Sequence, residues 1–494
     1  MLPLLLLANG LFMTLIAATT FVFQSYKWWR PENCDPERYG TPGRPRGKGL
    51  ILLAARFEEN VIGPTLERLA RLDYPNCVVA VIIDHPDDPK TLAVAREWAR
   101  RFPRRIVLIR YPEDTDVHNK PIGLNRALQD LEAMGIWDWD WVGVLDAEDL
   151  LHPDVLTMVD HRFRVTGAGI VQAGVQLMNF SSDPARVPLP PSRREEAYHR
   201  RAVRKSVRPP GAARRRLWLW ERRVHRWYAA HASAWWRAAN CLEYFKWFQS
   251  RLDVQARVRV IPLGGNTVFF RREFVDAVRR EDAVRRGTLS GNFWDESCLT
   301  EDCKIGIMAS VLGYLVDVVY LPHMVTREET PQTLWKFVQQ RVRWDQGFIQ
   351  VFVEGEWRRL PTFSQRLMAV YILGFQFFQA YTGLVAPAFF IAGFVLDAPV
   401  GIVLAAFIPF GLGLLNVLVD VLLLREFGVT YSERVRLRDY AGLVLGAPVF
   451  QLALGLAAVM ALVRHLRGRT NWVKTTHVGA HLDAAAREHQ VFNR

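Results

Sequence analysis

Cysteine is scarce in this chain. Its five residues, Cys34, Cys77, Cys241, Cys298 and Cys303, are odd in number and form no Cys-x-x-Cys pair. That argues against a disulfide framework and a four-cysteine zinc site, and leaves incidental thiols of a reducing compartment. Glycine and proline are ordinary, at 33 and 27 residues, which excludes a collagen-like or low-complexity chain. No internal repeat is visible, which argues against a transporter of two similar halves. Charge is missing from the long apolar runs, Asp420 apart, and that weakens an ion-path reading. Basic residues are also missing ahead of the first run. Residues 1–23 carry no charge, whereas a cleaved signal peptide opens on a basic stretch.

What is present is apolar bulk with a basic excess. Hydrophobic residues fill 50% of 494 positions and charged ones 23%, so the chain is neither a pure membrane bundle nor disordered. Lys and Arg number 63 against 50 Asp and Glu, a net charge of +13. That sign calls for a polyanionic partner: nucleic acid, a phosphorylated substrate or an anionic lipid surface. Residues 1–23 are long enough for one helical span, and Lys27 and Arg30 follow. Positive charge prefers the cytoplasmic side, so the N-terminus is expected outside and residue 27 onward inside. Three more apolar runs, 367–396, 399–424 and 440–463, lie near the C-terminus. Roughly 340 residues of mixed polarity separate them from the first, enough for one cytoplasmic domain.

That domain reads as α/β. Buried-strand runs at 49–55, 78–83, 106–109 and 141–145 alternate with helical patterns at 63–72, 91–101, 120–133 and 153–165. Pro153 suits the first turn of the last of these. The alternation predicts a mostly parallel sheet with helices on both faces, whose ligands bind beyond the C-terminal strand ends. Asp84 ends the second strand and Asp146 the fourth. In Asp146-Ala147-Glu148 the carboxylates at i and i+2 share a face, so both can approach one divalent cation that neutralises a diphosphate. Alone, the same triplet is also what a solvated turn looks like.

Four segments in order carry a resemblance. Asp84, Asp146-Ala147-Glu148, Thr300-Glu301-Asp302 and Gln340-Arg341-Val342-Arg343-Trp344 are similar to the signature of membrane-embedded inverting family-2 glycosyltransferases. That group holds the cellulose, chitin and hyaluronan synthases. The likeness spans about residues 50–350, and Glu148 stands where many members have Asp. It implies a GT-A-like nucleotide-sugar transferase domain using Mg²⁺ or Mn²⁺ at Asp146 and Glu148. It makes Asp302 the general base that deprotonates an acceptor hydroxyl. Glu301 and Gly265 fall on the acceptor side. Lys120 contacts the nucleotide diphosphate, while Arg56 and Asp84 frame the nucleobase and ribose. The counterpart of Asp84 contacts uracil, so UDP is the expected carrier.

The residue chemistry suits these roles. Gln340, Arg343 and Trp344 lie at i, i+3 and i+4, on one helix face. Arg343 offers a fork of donors to phosphate, Trp344 a flat face for a sugar ring, and Gln340 both donor and acceptor groups. Thr300 is a good N-cap, and the helix dipole favours the carboxylates after it. The tail segment holding Trp472, Lys474, Thr475 and His477 resembles a gating segment that closes over bound nucleotide.

The arginine-rich stretch 193–226, interleaved with and followed by Trp218, Trp220, Trp227, Trp235, Trp236 and Trp247, reads as an insertion on anionic lipid. A nucleic-acid partner is not expected. The expected division is a span at 1–24, a linker at 25–48 and a catalytic domain at 49–356 with the insertion at 185–226. A membrane region at 357–463 and a cytoplasmic tail at 464–494 complete it. Basic residues in the tail favour the cytoplasm, so one apolar run must fail to cross. Gly442, Gly446, Pro448 and Gln451 interrupt 440–463, which is therefore expected to lie along the interface. The expected activity is transfer of a sugar from a nucleotide diphosphate donor to a growing β-linked glycan at the cytoplasmic membrane. The alternatives are a transferase making a glycolipid acceptor product and a non-catalytic membrane scaffold.

Overall fold

Residues 2–494 are described by the computed structural model, except 32–34, 84–87, 111–118, 136–137, 179–210, 233, 289–290, 332, 396–398, 470–476, 478, 480 and 483–494. An apolar helix, α1 (Leu2–Trp29), precedes the domain. Strand and helix then alternate: β1 (Gly49–Ala55), α2 (Ile62–Ala70), β2 (Cys77–Ile83), α3 (Pro89–Arg101), β3 (Ile106–Arg110), α4 (Lys120–Ala133), β4 (Trp141–Asp146) and α5 (Val155–Thr166). Each boundary falls within two residues of the sequence pattern. Pro153 is not in the first turn of α5, which starts at Val155 behind Asp154.

The second half of the domain is less regular. It comprises β5 (Ile170–Ala173), β6 (Val175–Leu177), α6 (Ala212–Ala232), α7 (Ala234–Lys246) and α8 (Leu252–Val258), then β7 (Val268–Arg271) and α9 (Arg272–Arg286). A π-helical turn, Trp247–Arg251, joins α7 to α8. The domain closes with α10 (Glu301–Val311), β8 (Val316–Val319), β9 (Thr326–Glu328) and α11 (Leu334–Glu354).

Among the described residues, seven strands form one sheet in the order β3-β2-β1-β4-β7-β5-β8, and β6 pairs with β9 in a second. In that sheet β7 runs antiparallel to its neighbours β4 and β5, and the other described pairs are parallel. The chain winds outward from β1 to β3 and then returns to place β4 on the other side of β1. That reversal opens a crevice beyond the C-terminal ends of β1 and β4, where Ala54 sits beside Asp146. Leu50 and Leu52 of β1 pack into one core while Ile51, Leu53 and Ala55 pack into the other. Both sheet faces are thus buried, which is why the strand sequences are almost continuously apolar.

The C-terminal helices are α12 (Phe363–Ala380), α13 (Ala386–Val395), α14 (Val400–Thr430) and α15 (Leu437–Leu466), with a π-helical turn, Tyr381–Val385, between the first two. Among the described residues, four helices are long and apolar enough to cross a membrane: Pro3–Trp29, Phe363–Leu384, Val400–Thr430 and Leu437–Leu466. Their packing is continuous with the domain. Leu424 and Phe427 of α14 and Phe450 of α15 share a core with Leu50 and Val142 of the sheet. Lys246 pairs with Asp420 at 2.7 Å, and buried Lys27 bonds Gln249 and Glu426.

Two expectations change here. The glycines and Pro448 do not break 440–463, because α15 runs unbroken for 30 residues. Gly442 and Gly446 instead admit Trp235: a Cβ on Gly446 would lie 2.5 Å from its ring. Two of the tryptophans after α6 also face the interior and not the surface. Trp236 is buried beside Phe337, and Trp247 lines an internal cavity. Residues 185–210 of the insertion lie outside the described residues.

Candidate active site

One cavity of about 400 Å³ lies at the crevice. Arg56, Lys120, Asp146, Glu148, Gly265, Glu301, Asp302, Gln340, Arg343, Trp344 and His477 all line it. Asp84, Trp472, Lys474 and Thr475 lie outside the described residues.

Each group is held by its element. Lys120 opens α4, where Asn119 caps the helix by accepting from the Ile122 N–H at 3.0 Å. The Lys120 ammonium bonds Asp146 and donates to the Gly265 carbonyl at 2.8 Å. Burial disfavours its charge, but Asp146 and Glu301 outweigh that and raise its pKa. The loop after β4 is braced by Asp149, which accepts from the Asp146 N–H at 2.8 Å and from Asn266 at 3.0 Å.

Asp302 sits in the first turn of α10, where it accepts from the Cys303 N–H at 2.8 Å. Burial pushes its carboxyl up to about 6, against the pull of Lys120 and Arg343. Burial and the neighbouring Asp302 push Glu301 up to about 8. Thr300 precedes the helix but makes no side-chain cap. Its side chain packs on Gly347 of α11, where a Cβ would lie 2.5 Å from Thr300 Cγ2. The Leu299 N–H donates to Gln350 at 2.9 Å, a second tie between this loop and α11. Gly347→Ala is therefore expected to displace the loop carrying Asp302. Overpacking of this kind costs about 1–3 kcal/mol, so a lowered melting temperature together with reduced turnover checks it.

The helix α11 presents Gln340, Arg343 and Trp344 to the cavity and Phe337, Val342 and Ile349 to the core. Burial lowers the pKa of Arg343, opposed by Glu301, Asp146 and Asp302. One face of Trp344 is already covered: the Arg341 guanidinium lies 4.6 Å from its ring centre. Arg341 is fixed there by Glu243 at 2.6 Å and Asn240 at 2.9 Å, both on α7.

Three residues have no motif that flags them. Glu328 ends β9, and an antiparallel bridge between Leu150 and Arg327 pins that strand to the loop after Asp146. Asp146, Glu148 and Glu328 then offer carboxylate oxygens within 4.8 Å of one another. Burial pushes Glu148 up to about 8 and Glu328 up to about 7, with Asp146 adding repulsion to both. Glu328 Oε2 is buried with no hydrogen-bond partner among the described residues. A hard divalent cation satisfies such an all-oxygen, self-repelling set. Glu58 and His481 are the other two. His481 lies in the tail, and Glu58 meets the tail at His477, which contacts both Glu58 and Glu148. Burial opposes charge on His477, but Glu148 and Glu58 raise it to about 10.

Thirty per cent identity over 84 residues links the chain to a poly-β-1,6-N-acetyl-D-glucosamine synthase of Staphylococcus epidermidis. That match spans 17% of this chain and 19% of the relative. Among solved structures, the mannosyltransferase PcManGT from Pyrobaculum calidifontis, in complex with GDP-Man and Mn²⁺, aligns at 15% identity and a TM-score of 0.45, over 93% of this chain and 99% of that one. Staphylococcus aureus TarS in complex with UDP-GlcNAc aligns at 12% identity and a TM-score of 0.36, over 87% and 95%. The family model described as glycosyltransferase-like family 2 matches residues 45–347. With more than half of its length matched, the chain belongs to glycosyltransferase-like family 2.

Proposed function

We propose that the protein is an inverting, metal-dependent transferase that moves a sugar from UDP to a growing β-linked glycan at the cytoplasmic face of a membrane. The convergence of Lys120, Asp146, Asp302, Arg343 and Trp344 in one cavity carries this reading. In it, Asp302 takes the proton of an acceptor hydroxyl as that oxygen bonds the anomeric carbon. The bond from that carbon to the diphosphate breaks on the opposite face, so configuration inverts. Arg343 and Lys120 hold the departing diphosphate by charge-assisted hydrogen bonds. Asp146, Glu148 and Glu328 would hold Mg²⁺ or Mn²⁺, which neutralises the same leaving group. Trp344 and Gln340 orient the acceptor end.

The cavity supports an extended acceptor. It continues past Trp247 and Phe248 to Phe23 of α1 and to Tyr371, Phe375, Gln376 and Gln379 of α12. Aromatic faces and amides are the side chains that bind sugar rings and hydroxyls. The matched segment of a poly-N-acetylglucosamine synthase favours the same class of product. Membranes containing the protein, offered a panel of radiolabelled nucleotide sugars, are the test. Label is expected in polymer that survives lipid extraction. Label confined to the lipid extract would replace the glycan by a glycolipid, and no label from any donor would overturn the reading.

Topology belongs to the same reading. The start of α15 packs on Trp235, its Phe450 stacks on Phe337 at 5.3 Å, and the Arg469 carbonyl beyond it accepts from Gln346 at 2.5 Å. Both ends of α15 thus meet the same soluble domain. This supports an interfacial α15, three spans and a cytoplasmic tail. A cysteine placed at Thr470 is expected to stay unlabelled by an impermeant thiol reagent in intact cells. Labelling there would put the tail outside and remove it from the site.

A further inference from the structure

We propose that Asp345 is an acceptor-binding residue whose carboxyl takes the hydroxyls of the sugar ring seated on Trp344. This rests on the glycan-transferase reading above and deepens its acceptor side. Asp345 directly follows Trp344 on α11, lines the same cavity and is 7% exposed. Its carboxyl has no hydrogen bond among the described residues. Burial pushes it up to about 8, with Arg341 opposing and Glu243 adding repulsion. Arg341 stands one turn away at i−4, on the same side of the helix, yet its guanidinium is engaged elsewhere. It bonds Glu243 at 2.6 Å and Asn240 at 2.9 Å, and it covers one face of Trp344.

A buried carboxyl without a donor destabilises the fold, and such a group calls for a partner. Here it stands in a cavity wall, where a ligand can supply that partner. The surroundings select the ligand's chemistry. A metal ion or an amine is held best by several free carboxylates, and the neighbouring Glu243 is already paired with Arg341. A sugar brings hydroxyls, each a donor that also accepts, so it satisfies the carboxyl whether ionised or protonated. Trp344 then takes the apolar face of the ring and Asp345 the hydroxyls at its edge. The Arg341–Glu243 pair keeps the guanidinium off Asp345 and leaves that carboxyl to the acceptor.

Acceptor kinetics of the purified full-length protein test this. UDP release from UDP-glucose and UDP-N-acetylglucosamine is followed while β-linked pentasaccharides of glucose and of N-acetylglucosamine are titrated in. Asp345→Ala is expected to raise the half-saturating pentasaccharide concentration about tenfold or more, the cost of losing hydrogen bonds to a charged group. Equilibrium binding of the donor should hold. The thermal transition should match or exceed that of the wild type, because the fold loses no bond and sheds a buried carboxyl. Asp345→Asn keeps groups that bond hydroxyls and should recover most of the acceptor affinity. A smaller acceptor shift, an equal loss of donor binding, a lowered thermal transition, or an Asn variant no better than Ala overturns the inference alone. A wild type whose UDP release no pentasaccharide stimulates overturns the glycan reading and the inference with it.

Discussion

Asp302→Asn is expected to lower sugar transfer by ~10²–10⁴-fold, the usual cost of losing a general base. Nucleotide-sugar binding should survive. The amide keeps the shape of the side chain, and its oxygen still accepts from the Cys303 N–H. What it cannot do is take the acceptor proton. The wild-type carboxyl is suited to that step because burial brings it up to about 6, nearer to neutrality than an exposed aspartate. Turnover and equilibrium binding of the donor, measured on the same preparation, separate the two effects. Near-normal turnover would remove Asp302 from the role.

Chelation is the second large effect. Activity should fall to background in excess chelator and return on adding Mg²⁺ or Mn²⁺. Asp146, Glu148 and Glu328 converge as three carboxylates, and only Asp146 has the Lys120 ammonium bonded to it. A divalent cation held there would supply the positive charge that offsets the departing diphosphate. Full activity in excess chelator, measured as product formed, would rule out the cation site.

Much of the architecture was legible in the sequence because its signal is local. Apolar runs of strand length alternating with helical patterns located β1 to β4, and α4 begins at Lys120 behind the Asn119 cap. Asp146 stood at a strand end, and the reversal of strand order beside it made that end a crevice. The site residues that carried no signal are those brought in by distant pairing. Glu328 arrives through a three-residue strand bridged to Leu150, Glu58 comes from the loop after β1 to meet His477, and His481 reaches the Glu148 carbonyl from the tail. Packing also reversed two local readings. Gly442 and Gly446 look like helix breakers until Trp235 is seen to fill the space they leave. Trp236 and Trp247 look like headgroup anchors beside so much arginine, yet they belong to the core and the cavity. Trp344 offers a platform, as its side chain suggests, but Arg341 occupies one face of it.

Nucleotide release by the purified protein bears most directly on the central claim. Offered UDP-sugars with Mn²⁺, the wild type is expected to release UDP at a rate that rises with added acceptor and stops with chelator. Binding of UDP without release from any nucleotide sugar, in a preparation that keeps its thermal transition, would contradict catalysis and leave a membrane scaffold with a transferase fold.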